Sequence, residues 1–151
     1  DAVLKAGGVE VAAPEDPRLD AADDALMTGD LDEAEAAYRK ILAESPQDHA
    51  AEAGLAQVEL YRRISGVEPS AVLAKAAADP EDIATQQLAA DIEVLSGQAP
   101  EAYERLVALV KRTSGDERDA VRKHLLSLFT VAGPDDPAVA GARRALARAL
   151  F

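Results

Sequence analysis

The sequence contains no cysteine and no tryptophan, and only 3% of its residues are aromatic. Without cysteine the chain has no disulfide, no thiolate ligand for a metal and no thiol nucleophile. Hydrophobic residues make up 48% of the chain, and they are mainly alanine, leucine and valine. Alanine is the best helix former, but its small side chain buries little area. A core of this composition therefore needs many helices in contact.

Basic residues are scarce and unevenly placed. Lysine and arginine total 16 against 28 acidic residues, which gives a net charge of −12. Residues 1–48 carry a net charge of −9, whereas residues 101–151 carry +2. Nucleic-acid binders and proteins of anionic membrane surfaces rely on basic patches. We therefore expect neither nucleic acid nor membrane as a partner.

No apolar run approaches the length of a membrane-spanning helix, and no signal peptide is visible. These absences favour a cytoplasmic location.

The first 16 residues differ from the rest of the chain. They lack helical periodicity and contain Gly7, Gly8 and Pro14, so we interpret residues 1–16 as a linker. From residue 17 onward, apolar residues recur at helical spacing between Gly, Pro and Asp breaks. The pattern predicts one domain over 17–151 with about eight helices, at 17–28, 31–44, 48–64, 70–78, 81–95, 99–113, 116–131 and 137–151. No segment alternates like a strand, so the predicted fold class is all-α.

Two of these helix pairs repeat each other. Gly29 and Gly97 are 68 residues apart, which is twice 34. A 34-residue unit of helix, Gly-Asp turn, helix and closing proline is the tetratricopeptide (TPR) signature. Small residues on paired helices allow close approach, and a large one fills the gap to the next pair. The predicted packing signature consists of Ala22, Gly29, Ala34, Tyr38, Pro46, Ala90, Gly97, Ala102 and Leu106.

A degenerate repeat lies between the two helix pairs that follow the TPR pattern. Helix 48–64 begins it, with Leu55 and Ala56 in the places of Ala21 and Ala22. Its partner region, 66–80, is degenerate and is either a distorted helix pair or a loop with one helix. A final helix pair caps the stack, so the expected architecture is an array of helical hairpins, or α-solenoid.

The last segment, "GDERDAVRKHLLSLFTVAGPDDPAVAGARRALARALF", resembles the C-terminus of the thioredoxin–TPR chaperedoxins of the YbbN (CnoX) type. "GDLDEAEAAYRKILAESPQDHAAEAGLAQVEL" resembles the first repeat of that family. "DAVLKAGG" is similar to the last turn of a helix that leaves a thioredoxin-like domain. The thioredoxin domain itself is absent, because its Trp and Cys motif cannot occur in this sequence.

The resemblance implies a holdase and co-chaperone that binds unfolding client proteins and transfers them to a GroEL-type chaperonin. In that family the C-terminal helix docks on the chaperonin. On this chain the implied docking residues are Arg143, Arg144, Leu146, Arg148, Leu150 and Phe151.

Two other interpretations stay open. The apolar stripe Val139, Ala142, Leu146 and Leu150 of the last helix can pack on helix 116–131, with solvated arginines. The domain can also be a passive scaffold that builds an oligomer or positions an attached thioredoxin-like domain.

The predicted TPR groove carries Arg18 with Asp23 and Asp24, Glu52 with Glu59, and Gln86 with Gln87. A groove that clamps a peptide carboxylate needs lysine and asparagine. Because the sequence has no asparagine, we do not expect a carboxylate clamp.

No constellation of catalytic residues is visible. His49 and His124 are both interpreted as isolated surface or boundary side chains. No carboxylate pair, calcium loop or phosphate loop has the required spacing. The sequence therefore predicts no enzyme, no catalytic residue, no metal site and no cofactor.

Overall fold

The computed structural model describes residues 16–151, which contain eight α-helices and no strand. The helices are α1 (Pro17–Met27), α2 (Leu31–Glu44), α3 (His49–Ile64), α4 (Pro69–Ala78), α5 (Ile83–Leu95), α6 (Ala99–Arg112), α7 (Gly115–Ala132) and α8 (Pro137–Leu150). The all-α prediction with about eight helices is confirmed. The predicted linker lies outside the described residues except for Asp16.

Five of the described helices have an aspartate as their N-cap residue. Their carboxylates accept hydrogen bonds from backbone N–H groups of the first turn, which have no partner inside the helix. Donor–acceptor distances run from 2.9 Å at Ala138 to 3.3 Å at Thr85. The capping residues are Asp16, Asp30, Asp48, Asp82 and Asp136.

Four helices, α3, α4, α5 and α7, begin one or two residues away from their predicted starts. α7 begins at Gly115 after Ser114, so Asp116 lies in its first turn rather than at the cap. Gly115 has a φ of 61°, a left-handed conformation that glycine adopts without steric cost. This glycine lets the chain turn directly from α6 into α7.

Two helical hairpins, α1–α2 and α5–α6, have the most extensive contacts in the fold. The structure places Ala22 and Ala34 of the first hairpin, and Ala90 and Ala102 of the second, at 0% exposure. Tyr38 and Leu106 are also fully buried, while Pro46 lies exposed in the turn after α2. The turn residues Gly29 and Gly97 have φ of 85° and 80°.

The region between the two hairpins differs from the expected repeat. Its degenerate part, 66–80, contains one helix, α4, which packs against α5, whereas α3 packs against α2 and α7. Only Ala76 of α4 is buried, so the helix is too short and too poor in large apolar residues to cover α3.

The close contact of α3 with α2 also involves a different residue from the predicted one. Ala56 is half-buried, and the small residue against α2 is Gly54, which is buried. A Cβ atom at Gly54 would overlap the ring of Tyr38. The ring of Tyr38 therefore requires glycine at position 54, two residues before Ala56, where the small residue was expected.

The apolar side chains form two cores. The first is built by α1, α2 and α3, and the second by α5, α6, α7 and α8 together with Leu60 of α3. α6 lies at the centre of the second core and contacts α5, α7 and α8. The interpretation that α8 packs on helix 116–131 is corrected here, because its main packing partner is α6.

Tyr38 should make the stability of the fold pH-dependent in the alkaline range. Burial of the ring and the hydrogen bond from its hydroxyl to Asp23 raise the pKa of Tyr38 well above its ordinary value. The folded chain then keeps a proton that unfolded Tyr38 releases above about pH 10. Stability is complete below that pH and should fall above it by up to about 1.4 kcal/mol per pH unit.

Urea unfolding of the wild type and of Tyr38→Phe at about pH 9 and about pH 11 tests this expectation. The variant should lose less stability between the two values than the wild type. An equal loss in both proteins would show that other groups cause the alkaline decline.

Candidate protein-binding surfaces

The six residues predicted to dock on a partner are divided by the structure into buried and exposed groups. Leu146 is 6% exposed and belongs to the second core, and Leu150 is half-buried against the same core. The other four side chains are exposed, and Phe151 is 103% exposed. Leu146 therefore holds α8 in place and is not available to a partner without unpacking.

The arginines of α8 differ from the other described arginines. Seven arginines of α1–α7 form ion pairs with carboxylates, and Arg118 donates to the carbonyls of Val110 and Thr113. Arg143 lies over the ring of Phe129, 5.0 Å from its centroid. Within residues 16–151, Arg144 and Arg148 have neither an ion pair nor a hydrogen bond from their side chains. They leave an uncompensated positive surface on a chain of net charge −12.

A second surface lies between α1 and α3. Its cavity of about 780 Å³ is lined by Asp23, Leu26, Met27, Gly29, Leu31, Gln57 and Tyr61. Met27 is 85% exposed and, with Phe151, is one of two large apolar side chains exposed in the described part of the chain. Because methionine is flexible and polarizable, it adapts to partners of different shape. The combination of an apolar floor with the Asp23 carboxylate fits apolar segments that carry a basic residue.

Two of the other residues predicted to line a groove, Arg18 and Gln86, form contacts within the chain, whereas Asp24 and Glu59 are exposed. Arg18 pairs with Asp16 and Glu44. Gln86 is 3% exposed and donates to the carbonyl of Ala76 at 2.9 Å, which fastens α4 to α5. Arg105 donates to Gln86 at 2.7 Å and pairs with Glu93 at 2.8 Å. These contacts hold α4, α5 and α6 together.

The prediction that His124 is isolated was wrong. His124 Nε2 lies 2.8 Å from Oδ1 of Asp91, a carboxylate with 0% exposure. Arg63 donates two hydrogen bonds to the same carboxylate, at 2.9 and 3.0 Å. One buried ionic group thus links α3, α5 and α7, and it joins the two cores. His49 is exposed and lies 3.5 Å from Glu52.

A signal for this network was present in the sequence. Asp91 lies three residues after Leu88 and four before Leu95, and His124 lies three after Val121 and four before Leu128. Both polar residues therefore stand on apolar helix stripes. A polar residue in such a position is buried and needs a partner.

Within residues 16–151, no group of three or more histidines and carboxylates is placed to hold a metal ion. In the same part of the chain, none of the helices combines the length and the apolar composition needed to cross a membrane.

The paired helices and exposed surfaces define a helical-hairpin scaffold for protein interaction. A family model described as tetratricopeptide repeat matches residues 62–151, from the end of α3 to α8. That match spans more than half of the chain, so the chain belongs to the tetratricopeptide repeat family.

Uncharacterized proteins of Mycobacterium tuberculosis and Mycobacterium bovis are each 39% identical to the chain over 146 residues. The aligned region is 97% of this chain and 48% of each relative. The chain thus spans about half the length of these relatives. No solved structure shows a significant match to it.

Proposed function

We propose that the chain is the interaction domain of a co-chaperone that binds unfolding client proteins and docks on a GroEL-type chaperonin through α8. The observation that carries this proposal is the exposed set Arg144, Arg148 and Phe151, which has no partner in the described part of the chain. Arginine and aromatic residues are enriched at the energetic centres of protein interfaces. The resemblance to the thioredoxin–TPR chaperedoxins supports the assignment of the chaperonin as partner.

The packing of α8 suits this role. Val139 and Leu146 are 2% and 6% exposed, so one face of the helix is fixed in the second core. A surface fixed in this way loses little conformational entropy when it binds. The helix backbone that carries the cationic side chains is therefore fixed before the partner binds.

We assign client binding to the cavity between α1 and α3. Its exposed Met27 and half-buried Leu26 and Leu31 offer apolar surface to segments that have lost their own core. Holding of clients uses reversible contacts and no cofactor, so the proposal includes no catalytic step and a cytoplasmic location. Suppression of the aggregation of a urea-unfolded client by the purified chain tests this part. No suppression at several-fold excess would contradict it.

Substitutions at exposed positions are the appropriate test of docking. Removal of residues 143–151 would also remove Leu146 from the core, and a loss of binding would then be ambiguous. Arg148→Glu and Phe151→Ala change exposed side chains only. We expect each to weaken binding to purified GroEL-type chaperonin about tenfold, the effect of losing one important interface residue.

Lys40→Glu in α2 is the matched control for Arg148→Glu, because it makes the same change in net charge at another exposed position. Binding measured by biolayer interferometry should be unchanged in this control. Equal losses in Lys40→Glu and Arg148→Glu would show that net charge alone matters and would contradict docking through α8.

The alternative function is a passive scaffold that builds an oligomer or positions an attached thioredoxin-like domain. The same exposed α8 surface would then be buried between copies. Light scattering distinguishes the two: a tight dimer that Phe151→Ala dissociates, without chaperonin binding, would favour the scaffold.

A further inference from the structure

Within residues 16–151, two glycines lie in the interior of helices, and packing requires only one of them. Gly54 faces the ring of Tyr38, where a Cβ atom has no room. At Gly141 in α8, an added Cβ would meet only one atom within 4 Å, a guanidinium nitrogen of Arg144 at 3.8 Å. A glycine inside a helix destabilises it relative to alanine. No contact within the described residues requires a glycine at position 141.

Gly141 forms part of the wall of a groove between α6 and α8. The groove has a volume of about 390 Å³, and its surface is mostly apolar. α8 contributes only small residues, Ala138, Gly141, Ala142 and Ala145. Glycine is the residue that allows another backbone to approach most closely. The α8 wall of the groove is therefore open to the backbone of a partner.

Tyr103 of α6 lines the same groove and adds a second unexplained feature. The residue is 2% exposed, and its hydroxyl has no hydrogen-bond partner within the described residues. Buried polar groups in proteins nearly always have partners. The hydroxyl oxygen is itself closed to solvent, so it gains a hydrogen-bond partner only if the groove rearranges when a partner binds.

Two basic residues lie at the groove: Lys111 lines it, and the guanidinium of Arg144 lies next to Gly141. Lys111 on α6 and Arg144 on α8 are exposed, and neither forms an ion pair within residues 16–151. Arg148 extends the positive edge by one turn of α8. Among the described residues, Glu104 is the one acidic side chain that lines the groove. This balance is opposite to that of the whole chain, so the groove favours an acidic partner.

We propose that the groove between α6 and α8 receives a single helix of a partner protein, with an apolar stripe flanked by acidic residues. The helix lies along α8 with its backbone close to Gly141, and its acidic residues face Lys111, Arg144 and Arg148. Recognition of an amphipathic helix by an apolar groove is a common mode of protein binding. The proposal rests on the proposed function in placing the partner at α8, and it specifies the docking element of that partner.

A synthetic peptide tests the groove without the chaperonin. The probe is a helical peptide of 14 residues, the length of α8, with a leucine stripe flanked by glutamates. A peptide with lysine in place of glutamate is the charge control. NMR titration of the labelled chain should shift the backbone amide signals of Gly141, Ala138 and Ala145 with the acidic peptide only. Absence of shifts at these residues, or equal shifts with both peptides, would overturn the proposal.

A substitution that fills the groove gives the second test. Gly141→Leu should weaken binding of the acidic peptide about tenfold or more, because the added side chain occupies the space of the partner. Ala147→Leu, at an exposed position of α8, is the matched control and should leave binding unchanged. Thermal unfolding at or above the wild-type temperature in both variants shows that the fold is intact. Unchanged peptide binding by Gly141→Leu would overturn the proposal.

Binding of the chaperonin tests the proposed function, and binding of the peptide tests the groove, so the two proposals can fail separately. Peptide binding without chaperonin binding would contradict the proposed function and leave the groove as a helix-binding site. Chaperonin binding that Gly141→Leu does not affect would overturn the groove as the docking element and leave the proposed function intact.

Discussion

Replacement of Asp91 with alanine is expected to lower the free energy of unfolding by about 3 kcal/mol or more. Its carboxylate has 0% exposure, and it accepts two hydrogen bonds from Arg63 and lies 2.8 Å from Nε2 of His124. The alanine variant leaves two donor side chains without their acceptor in the interior. Arg63 is 29% exposed and can turn partly toward water, so we expect a value near the lower end of the range for broken buried pairs.

Urea unfolding followed by circular dichroism measures this effect. Asp20→Ala is the control, because Asp20 is exposed in α1 and has no ion pair within the described residues. It should change stability by no more than about 0.5 kcal/mol. A loss below about 1 kcal/mol in Asp91→Ala would contradict the view that this network joins the two cores.

Alanine at Gly54 and alanine at Gly141 should have effects of opposite sign. Gly54→Ala places a methyl group in the ring of Tyr38, which is 0% exposed. We expect a net loss of about 2 kcal/mol, since overpacking exceeds the gain in helix propensity. Gly141→Ala has open space and should raise stability by about 0.5–1 kcal/mol.

The comparison is made by thermal and urea unfolding of both variants under the same conditions. In the Tyr38→Leu background, Gly54→Ala should cost less than in the wild type, because the smaller side chain makes room for the methyl group. Equal effects of alanine at the two glycines would show that helix propensity, and not the ring of Tyr38, sets the stability at Gly54.

The number of helices and most of their boundaries could be predicted because local signals determine them. Aspartate caps, glycine turns and proline breaks act within a few residues. The partners of the helices could not be predicted in the same way. The contact of α3 with α7, for example, joins segments that are far apart in sequence.

The candidate site was predicted only in part, because helical spacing is a local signal and contacts between helices are not. Helical spacing placed Val139 and Leu146 on one stripe, and the unpaired arginines were visible as a basic segment in an acidic chain. The assignment of Leu146 to a docking surface came from the family resemblance. Its position on the apolar stripe instead explains why it is buried. The groove beside Gly141 could not be foreseen, because it forms only when α6 and α8 lie next to each other.

The most direct test of the central claim is hydrogen–deuterium exchange of the chain, free and bound to purified GroEL-type chaperonin. Docking through α8 predicts a stable complex in which residues 137–151 and the facing part of α6 become protected. Exchange at the cavity between α1 and α3 should stay unchanged in the absence of a client. Failure to form a complex, or protection confined to α1–α3, would contradict the claim that α8 is the docking element.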